Sequence, residues 1–216
     1  MNRSTTLVVA VAASCLALVV LQLLQLPAPA AIAKLFASSA FVALALHRGA
    51  LLSRFGQVIL AGLALSWWGD MILIGGSQSF FLAGLAAFLL AHVAYVSAFV
   101  IHGYRRSVTL LVAAPVSVIA IIVWLWLAPH TPTDLTWPVR AYIAVISVMV
   151  IFAYGARGAG ASWLVVAGAS LFFLSDLSVA ALRLTGTPYP TYVLGLPAYY
   201  AAQVCFALSV SQSRSH

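Results

Sequence analysis

The feature that most constrains this chain is a succession of eight long apolar stretches, at about 7–26, 31–47, 57–75, 80–101, 108–128, 138–156, 161–184 and 190–210. A helix needs about 20 apolar residues to cross the hydrocarbon core of a bilayer, and each stretch is close to that length. They are rich in Leu and Ala and do not alternate with polar residues, which argues for helices over strands. Of the 216 residues, 64% are hydrophobic and only 6% are charged. A soluble domain carries about 25% charged residues, so this chain lacks the polar groups to coat a globule. A soluble enzyme, a DNA-binding protein and a disordered tail are excluded. The expected fold is all-α, a polytopic membrane protein whose eight transmembrane helices form a single domain over residues 1–216.

The boundaries between stretches carry the usual breakers: Pro27 and Pro29, Gly75-Gly76, Arg105-Arg106, the Pro129–Pro138 segment, Gly155–Gly160 and Pro188–Pro190. Arg3, the first apolar run and Ala28-Pro29-Ala30-Ala31 resemble a cleavable signal peptide. The run from Leu7 to Leu26 is longer than the 7–15 residues of a signal h-region, so a retained first helix is expected. The net charge of +7 does not point to nucleic acid, because the basic residues are scattered and form no stripe. Arg3, Arg48, Arg54, Arg105, Arg106, Arg157 and Arg214 fall at one set of helix ends; Lys34, Arg140 and Arg183 fall at the other. The positive-inside rule then places both termini in the cytoplasm, with a bacterial inner (plasma) membrane as the expected location. Cys15 and Cys205 lie inside apolar runs and read as small packing residues.

The two halves of the chain resemble each other. Gly84, Phe88 and His92 in the fourth stretch align without a gap with Gly195, Tyr199 and Gln203 in the eighth. Asp70, near the end of the third stretch, answers Asp176 in the seventh. Lys34 precedes Asp70 by 36 residues, and Arg140 precedes Asp176 by the same 36. A four-plus-four duplication is expected, with halves of about 1–106 and 107–216. Both copies would have the same orientation, so the axis relating them would run along the membrane normal, as in other parallel repeats. Equivalent polar residues are then expected to meet near that axis.

Polar residues inside the apolar stretches are the candidate site. The chain has no Glu and only three Asp. Asp134 sits between Pro132 and Pro138 and reads as a solvated loop residue. Asp70 and Asp176 lie within spans, where an acid costs roughly 2.5–3.5 kcal/mol to insert and faces the bundle interior or a wet cavity. The plain structural reading pairs each with Lys34 or Arg140; the functional reading makes them a working pair. His92 shares a helix face with Phe88 and Tyr95 and is equally compatible with packing or function. Ser66, one turn before Asp70, reads most simply as bonding its own backbone. Trp67, Trp68, Trp124, Trp126, Trp137, Tyr189 and Tyr192 fall near the ends of spans, as an aromatic belt does.

The sequence has no His-Glu-x-x-His, no Gly-x-Ser-x-Gly, no phosphate-cradling glycine loop and no Cys/His cluster. Metalloprotease, serine hydrolase and ATP-driven pump lose support, and no metal or cofactor is called for. Two acids flanked by bases suit proton handling, since burial favours a neutral carboxyl and a nearby cation an ionised one. Such a pair suits acid–base cleavage of an ether through an oxocarbenium ion. It suits equally a proton-coupled transporter or a lipid-moving protein.

Ser66-Trp-Trp-Gly-Asp70, the Gly84…Phe88…His92…Tyr95 helix, Ser175-Asp176 and Tyr199-Tyr-Ala-Ala-Gln203 together resemble the YhhN-type lysoplasmalogenase family, as do Lys34 and the Tyr142…Met149 helix. The resemblance covers roughly residues 30–210. Trp67-Trp68 depart from it, being bulkier than the apolar residues expected before Gly-Asp. The resemblance implies an integral-membrane hydrolase that cleaves the vinyl ether of a lysoplasmalogen, a lysophospholipid drawn from the surrounding membrane lipid. The products would be a fatty aldehyde and glycerophosphocholine or glycerophosphoethanolamine. Asp70 and Asp176 would be the catalytic acids, with no assignment of which protonates and which activates water. Lys34, Ser66, His92, Tyr95, Arg140, Tyr142, Ser175, Tyr199 and Gln203 would support them or the substrate. The cavity is expected to open toward the outer leaflet.

Overall fold

A computed structural model describes residues 2–211; Arg214, counted above among the topology determinants, lies outside them. The chain folds into eight long helices with no strand among the described residues: α1 (Arg3–Leu23), α2 (Pro27–His47), α3 (Arg54–Leu73), α4 (Gln78–His102), α5 (Arg106–Leu127), α6 (Thr136–Gly158), α7 (Trp163–Leu184) and α8 (Tyr192–Ser209). Each is long and apolar enough to cross a membrane. Helices are the natural solution in lipid, because all their backbone hydrogen bonds are made within the segment.

Several ends lie where the sequence puts a cap or a breaker. Asn2, Ser53, Ser77 and Ser162 accept hydrogen bonds from the first-turn amides of α1, α3, α4 and α7. Gly103, with φ of 99°, turns the chain from α4 into α5. The boundary between α1 and α2 differs from expectation. The first helix stops at Leu23, and Gln25 adopts a left-handed φ of 56°. Pro27 and Pro29 then open α2 instead of separating two spans, because the first turn needs no amide donors. Pro138 likewise falls in the first turn of α6. Gly155, taken from sequence as a breaker, lies inside α6, where it receives the Thr109 side chain of α5.

Sequential hairpins α1–α2, α3–α4, α5–α6 and α7–α8 make the principal packing, and α4 against α6, α2 against α3, α6 against α7 and α2 against α8 join them into one bundle. Small residues allow the close approaches: Gly62 and Gly69 on α3 receive the rings of Tyr95 and Phe88. A single core runs through the bundle, with Phe41, Tyr95, Phe99, Phe172, Tyr200 and Phe206 among its fully buried side chains. Helix α5 is the outlier. Only Thr109, Val116 and Leu127 are buried on it, so it leans on α6 at the rim.

Candidate active site

Asp70 lies in the last turn of α3, with its side chain 4% exposed. Its Oδ2 accepts hydrogen bonds from the hydroxyls of Ser38 on α2 and Tyr199 on α8, each at 2.7 Å. Its Oδ1 is 3.8 Å from Lys34 Nζ. Ser38 and Lys34 are four residues apart on α2 and so share a face. The Tyr200 hydroxyl lies 3.3 Å from Ser38 Oγ; since Ser38 donates to Asp70, Tyr200 is the donor there. Every polar neighbour of Asp70 is a donor or a cation, the surroundings that suit a carboxylate.

Asp176 sits on α7 two turns before that helix ends. Its Oδ2 accepts a hydrogen bond from the Tyr142 hydroxyl on α6 at 2.9 Å, and His92 Nε2 on α4 lies 3.5 Å from the same oxygen. Its side chain is 19% exposed, against 4% for Asp70. His92 is fully buried, its ring edge-on to Phe172 at 4.5 Å and to Tyr142 at 5.3 Å. Phe88, Phe172 and Tyr199 contact one another edge-on between the two acid nests, with ring centroids 5.3–6.2 Å apart.

Asp70 and Asp176 line one cavity of about 510 Å³, to which every one of the eight helices contributes wall residues. That volume lies in the range of small-ligand pockets, about 300–1,000 Å³. Gln22, Lys34, Asp70, Ser175 and Asp176 supply polar groups, while Val123, Leu127, Val139, Ile143 and Ile146 make an apolar wall from α5 and α6. A second cavity of about 430 Å³, under the α1–α2 turn, shares Gln22, Lys34 and Leu73 with the first. The ends of α3 and α7 and the starts of α2, α6 and α8 surround the site, so it lies toward the end of the bundle that carries Lys34, Arg140 and Arg183.

Lys34, His92, Tyr142, Ser175 and Tyr199 therefore fall around the two acids. Ser66, Tyr95 and Gln203 form a different group. The Tyr95 hydroxyl donates to Gln203 Oε1 at 2.8 Å and lies 3.5 Å from Ser66 Oγ, so Ser66 bonds across to α4 and not simply to its own backbone. This cluster ties α3, α4 and α8 together behind Tyr199. Arg140 does not meet Asp176. It is exposed, with its guanidinium 4.3 Å from the Trp124 ring centroid and 5.5 Å from that of Trp137. The reason is angular: Arg140 precedes Tyr142 by two residues, which is about 200° around a helix, and Tyr142 points inward. Asp134 is exposed in a short 3-10 turn, as expected. Ser38 and Tyr200 were missed. Ser38 was detectable as the one polar residue a turn beyond Lys34 on its face; Tyr200 had no such mark.

A membrane-spanning bundle with two carboxyls in the wall of one ligand-sized, largely apolar cavity has the makings of an intramembrane acid–base centre. The particular family follows from sequence comparison. A model of the YhhN family matches residues 29–210, and the chain belongs to that family. It is 32% identical over 165 residues to lysoplasmalogenase TMEM86A of Bos taurus, a match covering 72% of this chain and 66% of the relative. It is 32% identical over 161 residues to lysoplasmalogenase TMEM86B of Homo sapiens, covering 74% and 66%. With a lysoplasmalogenase of Mycobacterium tuberculosis it shares 35% identity over 139 residues, covering 62% and 47%. The matches thus span just under two thirds of the mammalian relatives' length and about half of the mycobacterial one. No solved structure matches the chain.

Proposed function

We propose that this protein hydrolyses the vinyl ether bond of lysoplasmalogens, releasing a fatty aldehyde and glycerophosphocholine or glycerophosphoethanolamine. The observation that carries the reading is the convergence of Asp70 and Asp176 on one largely apolar cavity in a chain whose relatives are named lysoplasmalogenases. The cavity's apolar wall suits the alkenyl chain, and its acids suit the reacting bond.

In this reading the more exposed acid, Asp176, gives its proton to the β-carbon of the vinyl ether. The π electrons form the new C–H bond, and the ether oxygen shares the positive charge left on the α-carbon. Asp70, ionised beside Lys34, balances that oxocarbenium ion and takes a proton from the water that attacks the α-carbon. The resulting hemiacetal collapses: its O–H proton goes to the Asp176 carboxylate, the C–O bond to glycerol breaks, and the glycerol oxygen takes a proton from Asp70. Both acids return to their starting states. Positioned acid–base groups contribute about 10²- to 10⁴-fold each. Tyr142 holds Asp176, with the His92 ring packed beside it; Ser38 and Tyr199 hold Asp70.

We also read the two halves as duplicates. This is supported by the matched partnerships, with Asp70 on α3 met from α2 and α8 and Asp176 on α7 met from α6 and α4. The arginines at the opposite end support reading that end, with both termini, as cytoplasmic, and in that reading the cavity opens toward the outer leaflet. The test is aldehyde release by the purified protein in detergent. A hydrolase works there, whereas a transporter has no sealed compartment to act across. Failure to release aldehyde from any lysoplasmalogen would overturn the reading.

A further inference from the structure

Three cations mark the end of the bundle where the cavity lies, and their surroundings differ. Lys34 is engaged with Asp70. Arg140 is turned away from the cavity and stacked on Trp124 and Trp137. Arg183, in the last turn of α7, lines the cavity and is exposed. Its guanidinium lies 5.2 Å from the ring centroid of Phe81, in the first turn of α4 and also in the cavity wall. Among the described residues no carboxylate pairs with it: Asp70 is paired with Lys34, and Asp176 lies beside His92. One cation in the cavity wall is therefore not neutralised by the protein.

Its position relative to Asp176 is also specific. Seven residues separate them, nearly two full turns, so they share a face of α7, and the rise between them is about 10 Å. From the vinyl β-carbon of a lysoplasmalogen to its phosphorus there are seven covalent bonds. An extended chain covers 3.8 Å in three bonds, so this distance is about 9 Å. A guanidinium two turns above the proton donor, toward the membrane surface, meets that span. Its planar fork suits the two free oxygens of a phosphodiester.

Resting on the hydrolase reading above, we propose that Arg183 binds the phosphodiester of the substrate, fixing the depth at which the vinyl ether sits beside Asp176. Arg183 is thus a specificity residue for phosphate-bearing headgroups; alkenyl glycerols without phosphate bind without its help.

The test uses the full chain in detergent micelles with three probes. These are a choline lysoplasmalogen, a 1-alkenyl glycerol without phosphate, and a saturated 1-alkyl glycerophosphocholine, which binds without being cleaved. Arg183→Gln should raise KM for the lysoplasmalogen by about 10- to 100-fold, as expected for a lost charge-assisted hydrogen bond, with kcat little changed. It should leave KM for the alkenyl glycerol unchanged and raise the Kd of the saturated analogue in the same proportion as the first KM. Arg183→Lys should recover part of the loss, keeping the charge without the fork. Equal effects on the phosphorylated and neutral probes would overturn the proposal as a structural role. No effect on any probe would overturn it as contact with bulk lipid alone. A wild-type chain that cleaves neither alkenyl probe contradicts the hydrolase reading instead, and the analogue's Kd still decides for or against Arg183.

Discussion

Asp70 on α3 and Asp176 on α7 line the same cavity, yet their surroundings diverge. Asp70 is closed in by two hydroxyl donors and an ammonium group, with almost no exposed surface. Asp176 has one hydroxyl donor and a buried imidazole, and keeps a fifth of its side-chain surface open. On the Asp70 side the cation comes from Lys34 on α2; on the Asp176 side α6 offers Tyr142, because Arg140 turns outward. The difference teaches how two similar carboxyls acquire different work. In the proposed reaction, the acid with the denser set of donors starts as the carboxylate, and the one with fewer donors and more open surface starts with the proton.

The largest contrast is expected in stability. Asp70→Asn strands Lys34 in a largely buried position and should cost about 3 kcal/mol, the scale for breaking a buried pair. Asp176→Asn keeps an acceptor for Tyr142 and should cost under about 1 kcal/mol, within the range of a single net hydrogen bond. Thermal unfolding in detergent separates the two; equal losses would erase the distinction drawn between the nests. Next comes the paired glycines. At Gly195 an added Cβ meets the Ser178 hydroxyl and lies 2.9 Å from Ser178 Cβ, which no rotamer relieves. It would also disturb the reciprocal bonds between Ser178 and Thr191, each at 2.7 Å. Gly195→Ala should therefore destabilise by about 1–3 kcal/mol, the usual cost of overpacking. At Gly84 the Cβ meets the flexible tip of Leu73 at 2.7 Å, so Gly84→Ala should cost less in the same assay.

A smaller effect distinguishes the tyrosines. Tyr142→Phe should lower kcat for aldehyde release by about tenfold, the worth of one hydrogen bond to an ionisable group. Tyr199→Phe should show mainly as lost thermal stability. The reverse pattern would exchange the roles of the two acids. Smallest of all, Arg140→Gln should change kcat/KM by less than about twofold, since exposed contacts of this kind contribute little. A large loss would return Arg140 to the site.

Much of this architecture was written in the hydrophobic pattern. All eight spans were legible, because a run near 20 apolar residues has few other uses. The boundaries at Pro27 and Pro138 were not, since proline marks a helix start as readily as a gap. The two acids stood out because the chain carries so few. Lys34 could be paired with Asp70 from spacing, and the same spacing misled for Arg140, where two residues of helical rotation decide which side chain faces inward. Ser38 and Tyr200 escaped notice because a hydroxyl in an apolar helix is unremarkable until its partner is known. Ser66, Tyr95 and Gln203 stand out in the sequence as polar residues within apolar spans, but they bond to one another one layer behind the carboxyls.

The central claim is that Asp70 and Asp176 together perform the hydrolysis. Its most direct test is kcat for aldehyde release from a lysoplasmalogen by wild-type protein, Asp70→Asn and Asp176→Asn, each purified in detergent and shown to be folded. A fall of at least about 100-fold in each variant is predicted, in keeping with the contribution of a positioned acid or base. Release that continues undiminished in both variants would contradict the account.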